Sequence, residues 1–312
     1  MRNTQALPRI GNLALAVFHF SVNLYQFLIL PLWLLPLDAS WAWTLLPLAF
    51  LSNPYWSLIH EAIHDLFYPA PRINMLFGRA AAVLFGAPFR ILRLSHLLHH
   101  KLNRTPAEAT ELFDPVNSSR LRAAGGYFFH ILGGLYTVEF LSSILFLLPQ
   151  RWIRGFNNRF INPESVSGIL MQNWTGVEAI REIRTDGALV LSWFGLSCWC
   201  YGEQWPLLLA LVAARGFLIS FLDNVYHYRT PVNDVFYASN LWLPAVLGSL
   251  LLNFNLHGIH HQNPAIPWNR LPLMFHEGAA IYHGNYFTAA LRQLHGPVGL
   301  TDLPWAPSKA SR

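Results

Sequence analysis

Three short histidine clusters carry the chemistry that this sequence can do: His60-Glu61-Ala62-Ile63-His64, His96-Leu97-Leu98-His99-His100 and His257-Gly258-Ile259-His260-His261. They hold eight of the fourteen histidines, and each lies at or just beyond the end of a strongly apolar segment. Imidazole is the commonest metal-binding side chain. Eight imidazoles exceed what one metal needs, so the pattern points to a two-metal site at a membrane surface.

The spacings suit that purpose. Positions three and four apart share one face of an α-helix, so His60 and His64 can reach one metal together. In the second cluster His96 shares a face with His99 and His100. That adjacent pair diverges by about 100° around the axis, so its two members can serve different metals. The third cluster repeats the arrangement from the far end of the chain. A lone histidine near a membrane interface is usually just an amphipathic side chain, which is how His19, His130, His276, His283 and His295 are read. At this histidine frequency one HxxHH motif would arise by chance in roughly one of forty such sequences, and two in well under about one in a thousand.

The elements that must position these clusters are membrane elements. The 312 residues are 53% hydrophobic and only 12% charged, with mean hydropathy +0.31 and 14% aromatic residues. A soluble domain would carry about 25% charge, and aromatic side chains anchor the lipid interface. The composition indicates one all-α integral membrane domain over 1–312 and points away from nucleic-acid binding. The basic start runs into an apolar stretch too long for a cleavable signal peptide. Cys198 and Cys200 flank Trp199 inside an apolar segment and are read as packing rather than a disulfide or a metal site.

Apolar stretches at 10–37 and 41–60, turning at Asp38, form one expected membrane hairpin, and 187–201 and 205–222, turning at Gly202-Glu203-Gln204, form a second. About 20 residues at ~1.5 Å each span a ~30 Å hydrocarbon core. With a cytoplasmic N-terminus, the outer turns hold Asp38 and Glu203 and none of the 21 Lys and Arg residues, a strong positive-inside signal. Residues 125–149 must then begin and end on the inner side. They are expected as an interfacial or re-entrant helix pair broken at Gly133-Gly134. Segments 61–122 and 223–312 form a cytoplasmic histidine-rich cap, with interfacial helices around Asn74 to Phe89. The run Leu241 to Phe254 is too short to span.

On these residues the chain resembles the membrane fatty acid desaturase and hydroxylase superfamily, over roughly residues 10–275. His60–His64 looks like its first histidine box, His96–His100 its second and His257–His261 its third. The resemblance implies two iron ions, dioxygen as co-substrate, and a fatty acid or acyl chain as substrate. The donors alone leave iron, zinc, copper and nickel open. Members commonly carry one more ligand histidine after the fourth span, preceded four residues earlier by Asn. His227 stands there as a ninth ligand, with Asp223 in place of the Asn and Asn224 beside it. The likeness extends to the terminal-alkene-forming fatty acid decarboxylases, so desaturation and decarboxylation to a 1-alkene are the two leading outcomes. Hydroxylation or ketolation of an alkane or carotenoid is the alternative.

Metal-bound histidines need partners for their second ring nitrogen. Asp65, Asp114, Asn253 and Asn255, with Asp223 and Asn224, are the candidates by proximity in sequence. A free-acid substrate needs a cationic anchor, for which Arg93, Arg229 and Arg270 are candidates. Residues 263–272, with three prolines, are expected to leave the helix and hold the third box like a lid. No flavin, NAD or haem fingerprint is present, so two electrons must come from outside. The net charge of +5 suits an acidic carrier such as a ferredoxin with its reductase, and equally the anionic headgroups of membrane lipids. A bacterial inner membrane is the expected location, with the active site cytoplasmic. Two rivals come from other classes. The first cluster also reads as HExxH, with Glu61 as the general base of an intramembrane zinc protease. A metal carrier or sensor would instead place its ligands near the bilayer midplane.

Overall fold

A computed structural model describes residues 7–108, 110–173 and 177–303. Its helices are α1 (Arg9–Leu24), α2 (Leu45–Ala49), α3 (Ser52–Ile63), α4 (Pro71–Phe85), α5 (Phe89–Leu102), α6 (Arg120–Phe129), α7 (Leu135–Leu145), α8 (Gln150–Phe160), α9 (Val166–Asn173), α10 (Val177–Tyr201), α11 (Trp205–Asp223), α12 (Ala245–Leu250), α13 (His257–Gln262), α14 (Leu271–Glu277) and α15 (Tyr286–Arg292). Strand among the described residues is confined to two short parallel pairs, Leu112–Phe113 with Val298–Gly299 and Leu241–Trp242 with Gly284–Asn285. The protein is an all-α integral membrane protein with a histidine-rich cap.

Three helical stretches are long and apolar enough to cross a bilayer: Arg9–Leu34, Arg120–Leu145 and Val177–Tyr226. The first is α1 continued by a π-helical stretch, Tyr25–Leu34, which contains Pro31. The last is the α10–α11 pair, turning at Gly202–Gln204 as the sequence suggests.

Two segments differ in detail from the expected spans. Residues 41–60 are not one helix but a 3-10 turn (Ala39–Thr44), then α2, then α3 after a turn at Phe50 and Leu51. Pro47 and Pro54 lie inside this segment, and each removes a backbone donor and crowds the carbonyl four residues earlier. For Pro54 that carbonyl is Phe50, where the helix breaks. In 120–145 the expected interruption is present at Gly133, whose φ of 136° only glycine adopts readily. The helix nevertheless resumes, and the whole stretch has the length and hydropathy of a span.

A sharp elbow sets up the second cluster. α4 and α5 meet at 100°. Gly86 closes α4 at φ 118°, and a Cβ there would lie 2.6 Å from the Tyr136 hydroxyl. That hydroxyl donates to the Phe85 carbonyl at 2.6 Å, and Arg215 of α11 donates to the Leu84 and Phe85 carbonyls at 3.0 and 3.1 Å. The orphan carbonyls at the end of α4 are thus satisfied inside the protein, as a buried helix terminus requires. Arg79 on α4 pairs with buried Asp186 on α10, and Arg90 on α5 pairs with Glu182 at 2.8 Å. α5 therefore leaves the bundle in a fixed direction and carries His96, His99 and His100 beneath α3.

Candidate metal centre

Helix periodicity places each histidine. His60 lies on the last turn of α3 and His64 caps it. His96, His99 and His100 occupy the last two turns of α5, and α13 is built almost wholly from the third cluster. His227 follows the short turn Asn224–Tyr226 that ends α11. The nine imidazoles gather into two groups, His60, His64, His96, His100 and His260 in one, His99, His227, His257 and His261 in the other. Within each group the ligand nitrogens lie within 4.8 Å of one another. The adjacent residues His99 and His100 part company between the groups, as do His260 and His261, which is what their angular separation on a helix demands. His96 sorts with His100, one turn away, and not with His99.

The nitrogens point inward. Nε2 of His64, His100 and His260 each lie 3.0 Å from a neighbouring Nε2: His64 from His96, His96 from His100, His100 from His260. In the second group, His261 Nε2 lies 3.2 Å from His99 Nε2 and 3.1 Å from His257 Nε2. Buried ring nitrogens His60 Nε2, His227 Nδ1 and His257 Nδ1 have no hydrogen-bond partner. Burial first, then the neighbouring imidazoles, holds His96, His257 and His260 well below the ordinary histidine value. Burial, with Arg93 nearby, brings His64 down to about 3. These side chains are neutral at pH 7 and present lone pairs, the form in which imidazole binds metal.

Outer partners are mostly not those nearest in sequence. Oε1 of Glu108 lies 2.7 Å from His99 Nδ1. Burial pulls His99 down, but this carboxylate together with that of Asp223 outweighs it and raises the ring's pKa. Asn103 Nδ2 stands 3.4 Å from His261 Nδ1 while donating to the Tyr237 carbonyl at 2.8 Å. A buried Arg104–Glu111 pair at 2.6 Å, with Arg104 also donating to the Thr230 carbonyl, ties the Glu108 loop to the chain beyond His227. Nothing in the sequence marks Glu108. It sits in a polar loop, and only the turn after Asn103 returns it to α5.

The expected partners have other tasks. Asp65 accepts from Arg93 at 2.8 Å and from Asn74 at 3.2 Å, so it and Arg93 occupy each other. Asp114 folds onto its own turn, accepting from Val116 N and Asn117 Nδ2, a habit of Asp in loops. Asn224 donates to Gln293, Asn253 to the Trp268 carbonyl and Asn255 to the Leu241 carbonyl; all three brace the cap. Asp223 does lie near the second group, close enough to His99 for its charge to be felt there. Arg229 and Arg270 are exposed. The proline-rich segment after the third box is pinned by Trp268, whose Nε1 donates to Asn12 at 2.9 Å and whose backbone N donates to Glu61 at 3.3 Å.

Beside the histidines a narrow crevice is lined by Trp56, Asp223, Tyr226, Leu251, Phe254 and Tyr286, among others. Phe254 sits between the groups, its ring 4.9 Å from His60 and 4.6 Å from His257. The Tyr226 ring lies 4.6 Å from that of His257, tilted by 32°, and Trp56 approaches His96 edge-on at 6.4 Å. The inner wall of the crevice is thus aromatic and abuts both groups.

Fold and site together define a helical membrane protein that converges nine imidazoles, from both halves of its chain, on two adjacent points. The chain belongs to the fatty acid desaturase family, whose profile matches residues 33–290. It is also similar to a sphingolipid delta(4)-desaturase of Komagataella phaffii, 25% identical over 217 residues, which are 69% of this chain and 55% of that protein. The chain therefore matches little more than half the length of this curated relative. No solved structure matches it.

Proposed function

We propose that the two histidine groups hold a pair of iron ions and that the protein carries out dioxygen-dependent desaturation of a fatty acid or acyl chain. The donor count carries this reading. Five imidazoles in the first group exceed the four ligands of a structural zinc site and the three of a catalytic one. Glu61, the would-be base of a zinc protease, faces the Trp268 backbone.

When bound, a pair of irons supplies the redox chemistry by which dioxygen attacks an unactivated C–H bond. Two hydrogens leave neighbouring carbons of the chain and, with two electrons and two protons from outside, one dioxygen becomes two waters. The residues of this chain hold and orient. Neutral imidazoles present their lone pairs. Glu108 accepts from His99 Nδ1 and so directs Nε2 inward. Phe254, Tyr226 and Trp56 wall both groups with aromatic rings.

Desaturation is preferred to decarboxylation because no candidate carboxylate anchor stands free at the histidines: Arg93, although near His64, is engaged by Asp65, and Arg229 and Arg270 are exposed. Electrons come from an acidic carrier such as a ferredoxin, which the net charge of +5 suits. The N-terminus and the histidine cap lie on the cytoplasmic side of a bacterial inner membrane. The test is aerobic incubation of the iron-loaded protein with a ferredoxin system and fatty acids or acyl lipids of several lengths, followed by gas chromatography–mass spectrometry. Unsaturated products of unchanged carbon number are expected, with two irons per chain. Odd-carbon 1-alkenes would replace this reading with decarboxylation.

A further inference from the structure

A groove of about 620 Å³ lies on the outer face of α10, lined by Gln150, Ile180, Arg181, Arg184, Ala188 and Leu189 and ending at Ser192. That volume is within the ~300–1,000 Å³ of ordinary ligand sites. None of its lining residues belongs to the histidine groups or to the crevice beside them.

The lining is graded. Arg181, Arg184 and Gln150 surround one end. Arg184 is fixed there, its Nε and Nη2 donating to the Phe146 and Leu148 carbonyls at 2.9 Å each, so its charge is held at the end of α7. Ala188, Leu189 and Ser192 continue along the same face of α10. From Arg181 to Ser192 the helix rises about 16 Å, close to the ~15 Å depth of one leaflet's hydrocarbon. A groove that starts at arginines on the histidine side and ends near the midplane has the dimensions of one lipid.

The neighbouring helix agrees. α8 exposes Trp152, Phe156 and Phe160, spaced by four on one face, and carries Arg151 and Arg154 on its other faces, with Arg159 at the edge of the aromatic face, 5.8 Å from the Phe160 ring. This is the pattern of a helix lying in the membrane surface. Nearby acids are fewer: Glu178 is one turn from Arg181, Glu164 lies in the loop after α8, and Glu182 is engaged by Arg90. The net local charge is positive and calls for an anionic headgroup.

We propose that this groove binds one anionic glycerophospholipid of the surrounding leaflet, with its phosphate at Arg181 and Arg184 and an acyl chain along Ala188, Leu189 and Ser192. The site is separate from the proposed oxidation and is tested without it. The detergent-purified full chain is mixed with equal phosphatidylglycerol and phosphatidylcholine of matched acyl chains, and retained lipid is read by native mass spectrometry. One phosphatidylglycerol should be retained in about fivefold preference. Arg181→Gln should bring the preference close to unity. Ala188→Trp, which fills the groove and leaves the charge intact, should lower retention of both lipids. Unchanged metal content in both variants verifies folding. Equal retention by the wild-type protein, a preference that survives both variants, displacement by soluble glycerol 3-phosphate, or displacement by free oleate would each overturn the assignment.

Discussion

Oε1 of Glu108 lies 2.7 Å from Nδ1 of His99, nine residues back along the chain, and this contact fixes which nitrogen of His99 faces His261. Outer partners of this kind typically change metal affinity by about 10- to 100-fold. Glu108→Gln keeps the shape but removes the charge, and its amide can present an NH2 to Nδ1. Metal analysis after dialysis against a weak chelator should give close to two metals per chain for the wild type and close to one for Glu108→Gln. Retention of both would mean that Glu108 does not govern the second group.

The histidines themselves are legible in the sequence because helix periodicity converts HxxxH and HxxHH into shared faces without knowledge of the fold. His227 stands alone, and only the family likeness singles it out. Glu108 and Asn103 are invisible for a physical reason: an outer partner is chosen by loop closure, not by distance along the chain. Asp114 shows the converse, since an Asp two residues before a backbone N–H turns onto its own loop. Apolar length marks the spans, but not that Pro47 and Pro54 divide the second of them, nor that α4 and α5 meet in an elbow. The elbow depends on Tyr136 and Arg215, 51 and 130 positions away from the Phe85 carbonyl they share.

That elbow is guyed by Arg79 and Asp186, whose carboxylate is buried while the arginine is about one-third exposed. Removing one partner of a buried ion pair strands the other and costs ~3–5 kcal/mol, whereas replacing both with apolar groups can be neutral. Partial exposure of Arg79 puts this pair toward the low end. Arg79→Met should lower the thermal midpoint in detergent and reduce metal content, because α5 loses its direction. Arg79→Met combined with Asp186→Leu should recover most of the loss. A double variant as unstable as the single one would show that the pair does more than neutralise Asp186.

Glu61 separates the two readings of the first cluster. As the general base of a protease it would carry about 10²–10⁴-fold of the rate. Here its carboxylate accepts from the backbone of Trp268 and braces the segment after α13. Glu61→Gln preserves an acceptor at that position. The variant should keep two metals and retain turnover of an acyl substrate to within about tenfold. A purified wild-type protein that cleaves a membrane peptide, and loses that activity in Glu61→Gln, would establish the protease instead.

Removal of metal should destabilise the protein itself. Ring nitrogens facing each other at 3.0–3.2 Å need either a shared proton or a shared cation between their lone pairs. His96 and His100 each lie this close to two neighbours, and burial disfavours the protonated rings that would otherwise satisfy them. A cation bound only by the folded state adds stability as RT ln(1 + [L]/Kd), about 2.7 kcal/mol at a hundredfold excess over Kd. Stripping with a strong chelator should therefore lower the thermal midpoint by roughly 4 °C for each cation lost in a chain of this size, about 8 °C for two. Ferrous iron should restore it. Because α3, α5, α13 and the His227 turn are joined through these rings, protection against hydrogen exchange should fall first in the cap, at 96–108 and 257–262, and last in α10 and α11. A midpoint unmoved by chelation, with metal loss verified, would mean that packing alone holds the nine imidazoles together.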